Sequence, residues 1–397
     1  VWAPKWVRLK VITPVEYLEE RFNLGTRQLF AWSGIGIKFV DEGVKLYSLS
    51  VIVHVVTGFS LELVIVACGL VTMFYLLFGG LWATMLTDFA QFIIQFSVTL
   101  LLVQLVLNAV GGWHSMWEQL PPGHHALFSD TISPWFVFVY LFVIILSYNG
   151  GTWGLAQRFY SIGKPRDAQK AALLSAALYL VYPLAIYIPI WSARLVLGPV
   201  TDPEQAYVLV AQKFLSQVSP GMIGLFVSAI FASTMSMISA DLNSLAAVFT
   251  KDIYQRVIKP NSTDGALLRV GMISTIILGL LTIVAALITI RMENAFSAMV
   301  EWYAAILGPI SIPLLFGMLY KKATWRGALA SWGAGFTTFI AVKYGYAALA
   351  GQATPFALYT GLELLASFIV FYGEGFISKH TPEEKKRIDG LFARLKK

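Results

Sequence analysis

Apolar residues run in long blocks along almost the whole chain, and polar positions gather in the short stretches between them. The blocks fall at roughly 28–56, 61–79, 82–110, 134–152, 168–197, 219–249, 267–290, 295–319, 327–347 and 355–377. A helix crossing ~30 Å of hydrocarbon needs ~20 mostly apolar residues. The pattern therefore predicts an all-α polytopic membrane protein with about ten transmembrane helices. It gives a basic, amphipathic cytoplasmic segment over 1–27, a transmembrane region over 28–377 and a charged basic tail over 378–397.

Several blocks carry internal breaks: Gly150-Gly151, Pro183, Pro189, Gly308-Pro309 and Pro313. A broken helix in a membrane frees backbone carbonyls and amides, which neighbours, water or a bound solute must satisfy. Transporters build midplane binding sites from such breaks; a packing kink is the plainer reading of any single one.

Composition agrees with the pattern. Hydrophobic residues make up 57% of the chain and charged residues only 13%, too few to cover the surface of a soluble domain this long. The net charge of +7 does not point to nucleic acid, because its distribution follows the loops. Lys and Arg concentrate in 1–27, 158–170, 251–269, 321–326 and 379–397. They are absent from 111–133 and 348–354, and 193–217 has only Arg194 and Lys213. Basic loops stay on the cytoplasmic side, which puts both termini in the cytoplasm; the expected location is the plasma membrane. Cys68 stands alone in an apolar run and can form no intramolecular disulfide.

Ionisable groups inside apolar spans are costly and start as functional candidates. Asp88 lies about two turns into its span, in GGLWATMLTDFAQFIIQF. It either caps a cytoplasmic helix end or holds a cation, with Thr87 and Gln91 nearby. Ser233, Ser236 and Ser239 recur every three residues, on roughly one helical face. Their hydroxyls suit a monovalent cation, or they bond neighbouring helices. Lys38, Asp41, Glu42 and Lys45 sit mid-span. At i+3 and i+4 they can neutralise one another, or some of them line a solute path. Tyr148, Asn149 and Trp153 flank the Gly150-Gly151 break as a gate or stacking surface, and Glu301 is a weaker candidate in a late span.

Taken together, five segments resemble the sodium:solute symporter family. TPVEYLEERFN looks like its cytoplasmic motif, and FGGLWATMLTDFAQ and GMLYKKATWRGALASWGAG look like its two signatures. AQRFYSIGKPRDAQKAA is similar to the loop after its broken helix, and MSMISADLNSLAAVFTKDIY to its ion-site helix. They occur in family order over nearly the whole chain. The resemblance implies a LeuT-type fold of two inverted five-helix repeats. The first two core helices would be missing from this chain, which opens at the motif that follows them. On that frame 28–110 is the remainder of the first repeat, 134–319 the second, and 327–377 accessory helices.

The resemblance further implies sodium sites at Ser233 and Ser236, with Asp88 linked to sodium coupling and Tyr148 at an inner gate. Met237 stands where the family usually has Ser or Thr. The sugar-binding Gln expected near Val300 is missing, and the expected Asn-Gln pair reads Thr152-Trp153, which disfavours galactose-like substrates. The expected function is sodium-coupled symport of a small polar organic solute by alternating access. Its partners are the solute, sodium and the lipid bilayer; no nucleic acid, catalytic residue or cofactor besides the coupling ion is expected. A sodium-independent or proton-coupled carrier, a transporter-like membrane sensor and a channel are the rivals.

Overall fold

A computed structural model describes residues 1–124, 126–129, 132–200, 202–291, 305 and 307–396, excepting the side chains of residues 37, 80–84, 204 and 220. The described residues are helical almost throughout. Two short helices, α1 (Trp2–Leu9) and α2 (Tyr17–Arg21), lead into α3 (Leu24–Thr57) and α4 (Leu61–Ala109). Then come α5 (Trp113–Gln119), α6 (Pro134–Leu146), α7 (Trp153–Tyr160), α8 (Pro165–Leu197), α9 (Ala206–Val218), α10 (Pro220–Val248) and α11 (Asp264–Thr289). A short apolar helix, α12 (Leu307–Phe316), precedes α13 (Trp325–Ile340), α14 (Tyr346–Ala350), α15 (Phe356–Ile377) and α16 (Pro382–Lys396).

Seven described helical segments are long and apolar enough to cross a membrane. Helix α3, at 34 residues, is long enough but carries four charges in its middle. Its ends follow local chemistry. Asn23 accepts from the Thr26 amide at the start, and Gly58 closes the helix at φ 73°, the left-handed turn that favours glycine.

The blocks at 61–79 and 82–110 join into one unbroken helical stretch of 49 residues. That stretch is not straight. The Tyr75 and Thr87 hydroxyls hydrogen-bond one another across 12 positions, and 12 residues of straight helix span about 18 Å. The helix therefore bends sharply between them, and the parts on either side, Leu61–Gly79 and Met85–Ala109, are each long and apolar enough to cross a membrane.

Helices α3, α4, α10 and α11 pack mutually, α8 packs on α4, and α13 pairs with α15. Small residues allow the close approaches. A methyl group on Gly43 would lie 2.5 Å from the Ala285 Cβ and 2.9 Å from the Ala286 amide nitrogen, so α3 and α11 touch backbone to backbone there. Between lipid-like surfaces such packing replaces the hydrophobic drive. Ser331 and Ser367 bond reciprocally to each other's backbone carbonyls at 2.7 and 3.2 Å, tying α13 to α15.

One end of the bundle gathers the basic segments. Glu19 bridges Arg27 at 2.8 Å and Arg256 at 2.5 Å, and Arg27 also holds Asp252 at 2.5 Å. Arg21, 1% exposed, donates to the carbonyls of Gly317, Tyr320, Lys321 and Ala323. Burial pulls its guanidinium down to about 10, still charged at neutral pH. Helix α16 lies across this face, buries Ile388, Leu391 and Leu395, and is tied by Arg394 to Glu20 and by Asp389 to Lys321. Away from it, Trp113, Trp117 and Trp191 form an aromatic cluster with ring centroids 5.2–6.4 Å apart.

Candidate functional site

The site is organised by a break between α6 and α7. Helix α6 widens into a π turn over Ser147–Gly151, in which Gly150 sits at φ 106°, a conformation side chains with a Cβ rarely adopt. The break frees the Asn149 carbonyl, and the buried indole N–H of Trp6 donates to it at 2.9 Å. The Trp2 indole does the same for the Leu315 carbonyl at 2.9 Å, at the π turn of α12. Helix α1 thus satisfies released carbonyls at both interrupted helices and seals the basic end of the bundle beneath them.

Above the break lies a cavity of about 30 Å³ lined by Gly34, Lys38, Asp41, Gly151, Thr152, Trp153, Leu307 and Ile310. That is room for one or two waters. Trp153 is 1% exposed and its ring presses on Gly34, where an added methyl would lie 2.0 Å away. Trp153 therefore forms a tightly packed wall of the cavity.

Its charged wall continues into a buried cluster. Positions 38, 41, 42 and 45 form one stripe of α3, and Asp241 of α10 faces it. Lys45 contacts Glu42 at 2.7 Å, Asp41 at 2.8 Å and Asp241 at 3.1 Å. Lys38 reaches Asp241 at 3.1 Å and lies 4.0 Å from Glu42. The Gly154 amide, at the first turn of α7, donates to Asp241 at 3.2 Å. Carboxylate oxygens of Asp41, Glu42 and Asp241 lie within 4.8 Å of one another, around the Lys45 ammonium. Two lysines against three carboxylates leave a formal charge of −1, and Asp41 Oδ1 and Glu42 Oε2 are buried without a partner. The self-neutralising pairs expected within α3 are present, but they close only through α10.

A second group lies around α7. Arg158 donates to Asp88 at 2.9 Å and to the Ser236 hydroxyl at 3.2 Å. The guanidinium so bridges two residues that the sequence offers as cation ligands. Asp88 keeps Oδ1 buried and unpartnered, an oxygen of the kind a hard cation takes. Ser233 is not part of this group: its hydroxyl donates to the Ile230 carbonyl at 3.0 Å, as Ser239 does to Ser236. Met237 is 46% exposed.

Of the expected gate residues, Trp153 lines the cavity. Tyr148 packs edge-on against Tyr179, centroids 4.6 Å apart. Asn149 contributes its backbone carbonyl, while its side chain bonds Ile145. Glu301 lies outside the described residues. Sequence reasoning missed Asp241 and Arg158. Asp241 is five residues beyond Ser236 and so points away from the serine stripe that drew notice; its own signal was a lone carboxylate in an apolar span.

The sequence model of the sodium:solute symporter family matches residues 1–335. The chain is 26% identical over 358 residues to a sodium/glucose cotransporter of Vibrio parahaemolyticus, covering 83% of this chain and 66% of that one. It is 28% identical over 356 residues to a sodium-dependent multivitamin transporter of Oryctolagus cuniculus, covering 83% and 54%. It is 25% identical over 358 residues to a sodium/sialic acid symporter of Aliivibrio fischeri, covering 86% and 70%. The chain thus spans 54–70% of the length of these relatives. A solved structure of a Na+-coupled sialic acid symporter superposes with a TM-score of 0.79 at 20% identity, covering 95% of this chain and 80% of that one. At that identity the likeness is one of fold.

Proposed function

The chain belongs to the sodium:solute symporter family, and from that premise we propose that it is a sodium-coupled carrier of a small polar organic solute. The observation that carries the reading is the small cavity at the α6–α7 break, walled by Lys38, Asp41, Thr152 and Trp153. It joins a helix interruption to intramembrane charge, the combination on which midplane solute sites are built. Glu301 stays a sequence candidate for the same path. The basic face is the cytoplasmic one, with both ends of the chain on it, since Lys and Arg mark the inner side. In this state α1 and α16 close that face, and the solute path would open by alternating access.

Sodium would be held by Asp88 and Ser236, with Ser233 one turn earlier supplying a further oxygen. Arg158 now contacts both of the first two, so sodium and the guanidinium compete for the same oxygens. Sodium binding then requires Arg158, whose side chain is 39% exposed, to swing aside. That motion would couple the ion to α7 and to the break it follows, because a ligand shifts an equilibrium by its differential affinity for the two states.

The test is saturation binding of radioactive sodium to the purified chain and to Ser236→Ala. Loss of one oxygen ligand is worth on the order of 1.5–3 kcal/mol, so affinity should fall roughly tenfold to a hundredfold. An absence of saturable sodium binding, or equal affinity in the two proteins, would overturn the sodium assignment in favour of a sodium-independent carrier of this fold.

A further inference from the structure

Helix α15 carries a carboxylate that the sites above do not use. Glu363 is 0% exposed; neither of its oxygens meets a side-chain donor among the described residues, and the backbone of Gly308 is the polar group beside it. The Thr360 hydroxyl, one turn earlier on α15, and the Ser311 hydroxyl on α12 are buried and unpartnered. Glu363 abuts the kink of α12: a methyl group on Gly308 would lie 2.6 Å from its Oε1.

Among the described residues, the elements packed on α15 bring no counter-charge to it. Helices α6 and α12 contain no charged residue. On α13, Arg326 is held over the Trp325 ring. Beyond α13, Lys343 is held over the rings of Phe339 and Tyr359; Tyr359 is the nearest titratable group on α15. Glu374, near the other end of α15, bonds Thr324. Among the described residues Glu363 has no ion pair.

A bare carboxylate enclosed in apolar surroundings costs many kcal/mol and takes up a proton instead. A protonated carboxyl has one O–H to donate.

We propose that Glu363 is an intramembrane proton-binding site: it holds a proton in this closed conformation and releases it only when α12 and α15 part enough to admit water. Leu307 and Ile310, on the neighbouring face of α12, line the central cavity. Helix α12 thus touches both the carboxyl on α15 and the central cavity. The proposal does not depend on the sodium reading.

Infrared spectroscopy of the reconstituted full chain tests it without any solute. The wild-type minus Glu363→Gln spectrum at pH 7 should contain the carbonyl stretch of a protonated carboxylic acid, shifted in heavy water. A difference made only of carboxylate bands would overturn the proposal. Should Glu363→Gln fail to fold, wild-type protein with carbon-13 glutamate answers alone. Ordinary glutamates titrate near pH ~4, and buried Glu42 is removed from the spectrum by labelling Glu42→Gln in parallel; a labelled acid band that persists at neutral pH in both proteins supports the site, and its absence from either refutes it. Sodium added to saturation should leave the band unchanged; its loss on adding sodium would mean that Glu363 binds the metal ion instead.

Discussion

Replacing Lys38 by Met removes one of two cations from a cluster that has three carboxylates. Lys38 is 3.1 Å from Asp241, and both side chains are 8% exposed. Lys45 alone would then face Asp41, Glu42 and Asp241, and the formal charge would change from −1 to −2. Removing one member of a buried ion pair costs ~3–5 kcal/mol, because the remaining charge has lost its counter-ion. Asp241→Asn changes the charge from −1 to 0. Its amide oxygen still accepts from the Gly154 amide and from Lys38, but its NH2 replaces the oxygen that accepts from Lys45, so its cost is that of one lost charged hydrogen bond, ~1–3 kcal/mol. In the double variant the formal charge returns to −1, with Lys45 still bonded to Asp41 and Glu42. The double variant should therefore cost less than the sum of the two single variants, by a coupling energy of ~1–3 kcal/mol, in the range found for groups in direct contact. The assay is unfolding of purified protein in mixed micelles by a graded harsh detergent, with folded fraction read by tryptophan fluorescence. Strictly additive single costs, or a Lys38→Met cost within about 0.5 kcal/mol of zero, would refute the picture of a cluster closed between α3 and α10.

Four further outcomes follow from the same structure. Arg158→Gln removes the guanidinium that bridges Asp88 and Ser236, so radioactive sodium should bind several-fold more tightly; weaker binding would mean that Arg158 builds the site. Gly150→Ala puts a Cβ at φ 106° and 2.6 Å from the Trp6 indole nitrogen; unfolding free energy should fall by more than ~1 kcal/mol, as at positions whose backbone alanine cannot adopt, and an unchanged stability would argue against the break. Hydrogen bonds from Arg256, with Arg27 assisting, hold the Glu19 carboxyl below the usual carboxylate range. Its contribution is complete above the unfolded value of ~4.3 and lost as pH falls through the lower folded value; Glu19→Gln should flatten the thermal-stability profile in that acid window and nowhere else. A cysteine replacing Gly163 should react with membrane-impermeant maleimide only after permeabilisation, and one replacing Gly123 in intact cells; the opposite pattern would invert the orientation.

Much of this protein could be read directly from its sequence. Apolar blocks must become helices because a bilayer leaves no other way to pair their backbone groups, and nine of the ten blocks coincide with described helices. The block at 295–319 is described only at residue 305 and from Leu307 onward. Gly150-Gly151 was legible as a break because glycine pairs in an apolar span relax the backbone. Lys38, Asp41 and Glu42 were legible as a set because i+3 and i+4 spacing is a property of one helix. What the sequence could not show is what crosses between helices. Asp241 joins the α3 cluster from about 200 positions away, and Arg158 finds Asp88 across 70 and Ser236 across 78. Trp6 meets Asn149 across 143. Periodicity describes which face of a helix a residue occupies, whereas the partner on that face is set by tertiary packing. Local order could therefore be read from the chain, but which charges are neutralised, which carbonyls are satisfied and which carboxylate is left alone were decided only when the helices came together.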